Sequence, residues 1–205
     1  MEYEHDIFLS YKRDRVQEEW IRDHFLPLLE SDVSNEIAGR CGRPAMSIFF
    51  DKAGATAGTE ETIVRGLEPG AKWEPALQEA IRKSRCMIGL WSPNYFFSGW
   101  CLMEWKSFAE REQRTSATLV LPVSVYDGNN FPEDARAVQA FDISEFVNIG
   151  DGFKKSEAYV RFQAQVRLLA SRAGGLVQAA PAFAEFPIVT SPPPSGGIRF
   201  SQPRM

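Results

Sequence analysis

The sequence predicts an α/β protein built on an open parallel sheet, and two observations carry that expectation. Short apolar or β-branched runs alternate along the chain with segments whose apolar residues recur at helical spacing, giving the order β, α, β, α, β, α, β, α. The most apolar run, CMIGLW at 86 to 91, is bounded by Lys83-Ser84-Arg85 and by Ser92-Pro93-Asn94. A nearly unbroken run of that kind reads as a strand buried on both faces, as parallel strands are when helices cover both sides of a sheet.

Taken in order, DIFLS (6 to 10) reads as a first strand, stopped by the polar loop Ser10 to Asp14. Val16, Trp20, Ile21, Phe25, Leu28 and Leu29 then mark a first helix, with Pro27 kinking or weakening its last turn. A polar link is expected from about Ser31 to Pro44, and Met46 to Phe50 reads as a second strand ending at Asp51. Residues 51 to 71, rich in alanine and glycine, read as a long loop of functional or mobile character. Trp73, Ala76, Leu77, Ala80 and Ile81 mark a second helix, with Glu74 and Pro75 suited to its first turn.

After the 86 to 91 strand and its Ser-Pro-Asn turn, a helix is expected from about Gly99 to Gln113. TLVLPVSV (118 to 125) makes a fourth strand, in which Pro122 argues for an edge or a bulge. A brief fifth strand is expected at Phe141 to Ile143. Tyr159, Phe162, Val166 and Leu169 then form the apolar stripe of a last helix. The whole reads as a flavodoxin-like open parallel sheet of about five strands with helices on both faces. The domain is expected over 1–173. Beyond it, 174–205 reads as a Pro/Gly-rich tail, extended or flexible, docked only by a few apolar residues such as Phe183, Phe186 and Ile188.

Composition narrows the function classes. The 205 residues, 44% apolar, suffice for a sizeable core and one domain with extensions. Net charge is −4, from 23 basic and 27 acidic residues, and the basic residues are dispersed, so no nucleic-acid footprint is expected. Cys41, Cys86 and Cys101 lack metal-binding spacing, and His5 and His24 do not complement them, so no metal is expected and reduced thiols fit best. The acidic N-terminus does not read as a signal peptide, and no apolar run approaches membrane-spanning length. A cytoplasmic protein without membrane contact is the expectation.

The chemistry centres on Glu104. In a helix starting near Gly99, Trp100 and Glu104 lie one turn apart on one face, just beyond the carboxyl end of the buried strand. That edge is where open α/β sheets bind ligands. A solvated helix-face glutamate is the plain alternative. A phospho-acceptor receiver is disfavoured, because Leu90-Trp91-Ser92 stands where its aspartate would be.

Four segments, in this order and spacing, resemble a TIR (Toll/interleukin-1 receptor) domain of the prokaryotic NAD-cleaving type: DIFLSYKRD (6 to 14), IFFD (48 to 51), GAKWEPALQEAIRKSRCMIGLWSPNY (70 to 95) and SGWCLMEW (98 to 105). The resemblance spans about residues 3 to 172. It implies that Glu104, the acid of the W-C-x-x-E pattern, is the catalytic carboxylate of NAD cleavage, with NAD as substrate and no cofactor. It also implies substrate contacts from Ser10, Tyr11 and Lys12 in the first loop, though an ordinary polar loop fits them too. Trp91 and Trp100 could stack on nicotinamide or adenine, although a Trp inside a strand, as Trp91 is, is more often a core residue. Asp51 could line the pocket or end its strand. Residues 51 to 71 match the loop through which the family controls access and assembly. An NAD glycohydrolase or cyclase in bacterial immune signalling or NAD depletion is therefore expected, assembling through TIR-TIR contacts and triggered by a separate sensor or effector. The alternative is a non-enzymatic module that signals by such assembly, using the loop and exposed Phe96 and Phe97.

Overall fold

The computed structural model describes residues 2–51, 64–67 and 72–189. Strands β1 (His5–Tyr11), β2 (Ile48–Phe49), β3 (Val64–Arg65), β4 (Ser84–Trp91), β5 (Val120–Ser124) and β6 (Phe141–Asp142) form one sheet in the order β3-β2-β1-β4-β5-β6. Every pairing is parallel. The sixth strand relative to expectation is β3, a two-residue edge strand paired with β2 inside what reads in sequence as an uninterrupted loop. Without it the order is that of a flavodoxin-like fold. The rest of the 51–71 loop, residues 52–63 and 68–71, lies outside the described residues.

Helices cover both faces because successive strand side chains alternate. Ile7, Leu9 and Tyr11 of β1, with Cys86, Ile88 and Leu90 of β4, pack against α1 (Arg15–Trp20), α2 (Leu26–Cys41) and α6 (Glu157–Ala179). Phe8 and Met87 face the other way, onto α3 (Trp73–Arg82) and α4 (Gly99–Thr115). A four-residue helix, α5 (Glu133–Arg136), precedes β6.

The first helical region runs much further than expected. A π-helical turn at Ile21–Phe25 joins α1 to α2, and the Leu26 N–H reaches back five residues to the Ile21 carbonyl. Pro27, which has no N–H to give, then sits in the first turn of α2 without ending it. The expected polar link at 31 to 41 is helical because Leu29, Val33 and Ile37 recur every fourth residue and are fully buried, while the residues between them are mostly polar. Gly42, at φ +63°, closes α2 in the left-handed conformation.

The expected domain boundary at 173 falls inside α6, which continues through Gly174 and Gly175 to Ala179. A Cβ on Gly174 would stand 2.9 Å from Glu36 Cβ, so this glycine permits close contact between α6 and α2 rather than marking a helix end. Residues 180–189 then cross the α3/α4 side. Phe183 meets the Tyr3 ring edge-on, Phe186 and Ile188 are buried, and the Val189 N–H donates to Ser107 Oγ at 3.1 Å. Beneath them Arg111 is buried between Phe108 and Phe186, donating to the Ser84 and Ile81 carbonyls at 2.7 and 2.9 Å.

Pro122 lies inside the sheet rather than at its edge. Met87 N–H to Leu119 carbonyl and Val125 N–H to Trp91 carbonyl put the odd-numbered groups of β5 toward β4. Pro122 therefore faces the opposite side, just short of where β6 begins pairing at Val123, and no ladder hydrogen bond is lost.

Candidate active site

Between β1 and β4 the strand order reverses, and the site opens there, outside the carboxyl ends of the strands. A cavity of about 240 Å³ is lined by Tyr11, Lys12 and Arg13 from β1 and its loop, Asp51 after β2, Trp73 of α3, and Trp100, Cys101 and Glu104 of α4. Ser98 starts α4, its hydroxyl accepting from the Cys101 N–H, and this sets which face of the helix meets the cavity.

Glu104 is nearly buried at 7% exposure, and Ser10 Oγ lies 2.5 Å from its Oε2. Burial pushes its carboxyl up to about 8; the Ser10 hydrogen bond opposes this, Asp51 adds to it and Arg13 counters it. The register pairs Ser10 with Gly89. A Cβ at Gly89 would meet Trp91 Nε1 at 2.8 Å, so the glycine leaves room for its neighbours behind the site.

The rim is held by charge and aromatic packing. Asp51 accepts from Tyr11 Oη at 2.9 Å and from Arg13 Nε at 2.7 Å, and forms an ion pair with the Arg13 guanidinium. That guanidinium lies 5.1 Å from the Trp73 ring centroid, and Trp73 meets Trp100 edge-on with centroids 4.4 Å apart. Burial raises the Cys101 thiol to about 12, which keeps it protonated at neutral pH. His5 lies at the far end of β1 and His24 packs against Phe153 and Tyr159, so neither serves the site. Among the described residues no group of three His, Cys, Asp or Glu side chains could hold a metal ion.

Residues 56–155 match the family model described as TIR domain. Over that stretch the chain is similar to TIR domains. The matched segment includes Trp73, Trp91, Trp100 and Glu104, and begins after Asp51. Among solved structures, the chain is similar to the TIR domain of the Toll-related receptor TRR-2 from Hydra magnipapillata, at 15% identity and a TM-score of 0.42, covering 80% of this chain and 98% of that one. It is also similar to the TIR domains of the activated Roq1 resistosome, which directly recognises the pathogen effector XopQ, at 20% identity and a TM-score of 0.41, covering 85% of this chain and 95% of that one. No curated protein sequence matches at a significant level.

Of the residues singled out in sequence, Tyr11, Lys12, Asp51, Trp100 and Glu104 line one cavity, and Ser10 touches Glu104 from behind. Trp91 does not join them. It is fully buried against Phe96, Trp105 and Phe131, because the pleat of β4 sends it into a separate aromatic cluster. Phe96, expected at the surface, is 1% exposed in that same cluster, whereas Phe97 is 60% exposed. Arg13, Trp73, Tyr95 and Cys101 were not singled out as site residues. Arg13 had a signal, a second cation beside Lys12 in the loop at the switch point. Trp73 had none, since its partner Trp100 lies in another helix.

No helix among the described residues is long and apolar enough to cross a membrane.

Proposed function

We propose that this chain is a TIR domain that cleaves the bond between nicotinamide and ribose in NAD, as a glycohydrolase or cyclase. The observation that carries the reading is Glu104, a buried carboxyl backed by a serine hydroxyl and opening onto a cavity walled by Trp73, Trp100 and Arg13.

In the reaction the C1′–N bond breaks and its electron pair leaves with nicotinamide. Because the leaving group is already cationic, it departs neutral and needs no general acid. Positive charge develops on the ribose, where a carboxylate beside it is stabilising. The raised carboxyl suits the task, since a pyridinium cation entering the cavity favours the ionised form and expels the proton. Water then completes hydrolysis, or an adenine nitrogen closes a ring. Trp100 and Trp73 offer aromatic faces to the bases, and Lys12 and Arg13 offer positive charge to the diphosphate.

In the cell this activity would serve immune signalling or NAD depletion in the cytoplasm, with self-association and a separate sensor or effector controlling it. The test is incubation of concentrated protein with NAD, with and without a crowding agent, beside Glu104→Ala, with products separated and identified by mass. Nicotinamide release that disappears in the variant supports the reading, and the co-product distinguishes hydrolase from cyclase. Absence of release under every assembling condition rejects it.

A second reading, a TIR module that signals by assembly alone, is favoured by Phe97 and Tyr126, apolar side chains exposed by 60% and 58% beyond the ends of β4 and β5. Assembly that depends on Phe97 and not on Glu104, without NAD cleavage, is its signature.

A further inference from the structure

Behind Glu104 stands a line of hydroxyls that the reaction above does not use. Ser10 Oγ lies 2.5 Å from Glu104 Oε2 and 2.7 Å from Tyr95 Oη, and Tyr95 Oη donates to the Cys101 carbonyl at 3.1 Å. Ser10 and Tyr95 are 1% and 0% exposed, so neither hydroxyl can turn to bulk water. Burial holds the Tyr95 phenol well above its ordinary range, and it keeps its proton.

Each hydroxyl has one proton to donate, which makes the pattern countable. With Glu104 protonated, the carboxyl donates to Ser10, Ser10 to Tyr95 and Tyr95 to the Cys101 carbonyl, so three protons meet three acceptors. With Glu104 ionised, Ser10 must turn round and donate to the carboxylate. The single Tyr95 proton is then divided between Ser10 and the Cys101 carbonyl. The two protonation states thus require opposite directions of the Ser10 hydroxyl, and Tyr95 provides an acceptor for one of them only.

We propose that Tyr95 is a positioning residue for Glu104: acting through Ser10, its hydroxyl sets the direction of the Ser10 proton and favours the protonated carboxyl in the empty site. The catalytic consequence rests on the NAD-cleaving reading, while the arrangement of protons does not. Each element around the carboxyl contributes. β1 and its loop bring Tyr11, Lys12 and Arg13, the end of β2 brings Asp51, α4 brings Cys101, and α3 brings the uncharged Trp73 and Leu77. Asp51 acts in the same direction as the Tyr95 hydroxyl, by favouring the protonated carboxyl, whereas Arg13 and the Ser10 donor favour the ionised form.

The test follows the Glu104 carboxyl carbon by NMR through a pH titration of the full chain labelled with ¹³C-glutamate, the signal being assigned by its loss in Glu104→Gln. Tyr95→Phe keeps the ring packed on Phe96 but removes the acceptor that lets Ser10 turn away. Ser10 is then held on the carboxyl, and the midpoint falls by about half a pH unit or more. Ser10→Ala removes the donor to the carboxylate, and the midpoint rises by a similar amount. Opposite shifts support the proposal. A Tyr95→Phe midpoint that stays put or rises overturns it, because a tyrosine that only fills space moves nothing. Should Tyr95→Phe fail to fold, 3-fluorotyrosine placed at position 95 decides, because it keeps the ring and weakens the hydroxyl as an acceptor: a fall in the Glu104 midpoint supports the proposal, and an unchanged or raised midpoint overturns it. No NAD is present, so the outcome is independent of whether the protein cleaves it.

Discussion

Ser10 Oγ, near the end of β1, lies 2.5 Å from Oε2 of Glu104, 94 positions further along the chain in α4. The contact ties the end of β1 to the helix that follows β4, and the Glu104 carboxyl it reaches stands in a nearly dry setting. Chemistry and stability at this position are therefore linked.

Glu104→Gln keeps the shape and removes the ionisable group. Nicotinamide release from NAD is expected to fall by at least about 100-fold, as when a group stabilising transition-state charge is lost, with the far-UV spectrum unchanged. A variant that folds normally and retains activity refutes the assignment of Glu104.

The free-enzyme pH profile should report the same group. With the carboxyl raised to about 8 in the empty site, kcat/KM is expected to climb with pH until about 8, while kcat levels off at lower pH because bound cationic substrate favours ionisation. Steady-state kinetics from pH 5.5 to about 9 would measure both limbs.

Stability should carry the opposite slope. Glu104 ordinarily titrates at 4.5 and is raised to about 8 when folded. Between those values the folded state holds a proton that the unfolded chain has released, so this contribution is fully present below 4.5 and is lost as pH rises through about 8. His5 works the other way. Burial lowers it to about 4 from 6.5, so its contribution is present above 6.5 and lost as pH falls toward 4. Subtraction isolates Glu104: relative to wild type, Glu104→Gln should gain in melting temperature from pH 5 to pH 8. A constant difference contradicts the buried, protonated carboxyl.

Arg111 tests the docking of the C-terminal segment. Replacing it with Met keeps the apolar stem between Phe108 and Phe186 but leaves the Ile81 and Ser84 carbonyls without their donors. A loss of about 2–4 kcal/mol in chemical denaturation is expected. Phe186→Ala should destabilise too, by removing one face of the same sandwich.

The neighbouring glycines of α6 should respond with opposite signs. Gly174→Ala drives a methyl into the backbone-proximal Cβ of Glu36 and should cost about 1–3 kcal/mol despite better helix propensity. Gly175 has open space where a Cβ would go, so Gly175→Ala should add about half a kcal/mol. Thermal unfolding of the two variants distinguishes a helix contact from a helix end.

Periodicity reported local geometry well wherever apolar residues repeated at a single spacing. The strands at 6–10, 86–91, 118–125 and 141–143 all appear, and Trp100 and Glu104 share the cavity face of α4 as their four-residue separation requires. It failed at 31–41, where the apolar residues are one in four and a proline stands just upstream, so polar composition outweighed a sparse stripe that tertiary packing against α6 makes sufficient. It failed again at Gly174, since a glycine needed for close helix contact looks in sequence like one that ends a helix.

By itself, then, the sequence determined the alternation of strands and helices, the two-sided burial of the central strands and the helix face that presents Glu104, because each depends on neighbours within a few residues. Only the tertiary structure decided that Ser10 and Tyr95 back that carboxyl, that Arg13 closes on Asp51, that Trp73 meets Trp100, and that Trp91 turns into the aromatic cluster instead of the cavity. The physical reason is the same in each case. Periodicity says which side of an element is covered, but a hydrogen bond or ring contact between different elements exists only once the parallel strands have set those elements side by side.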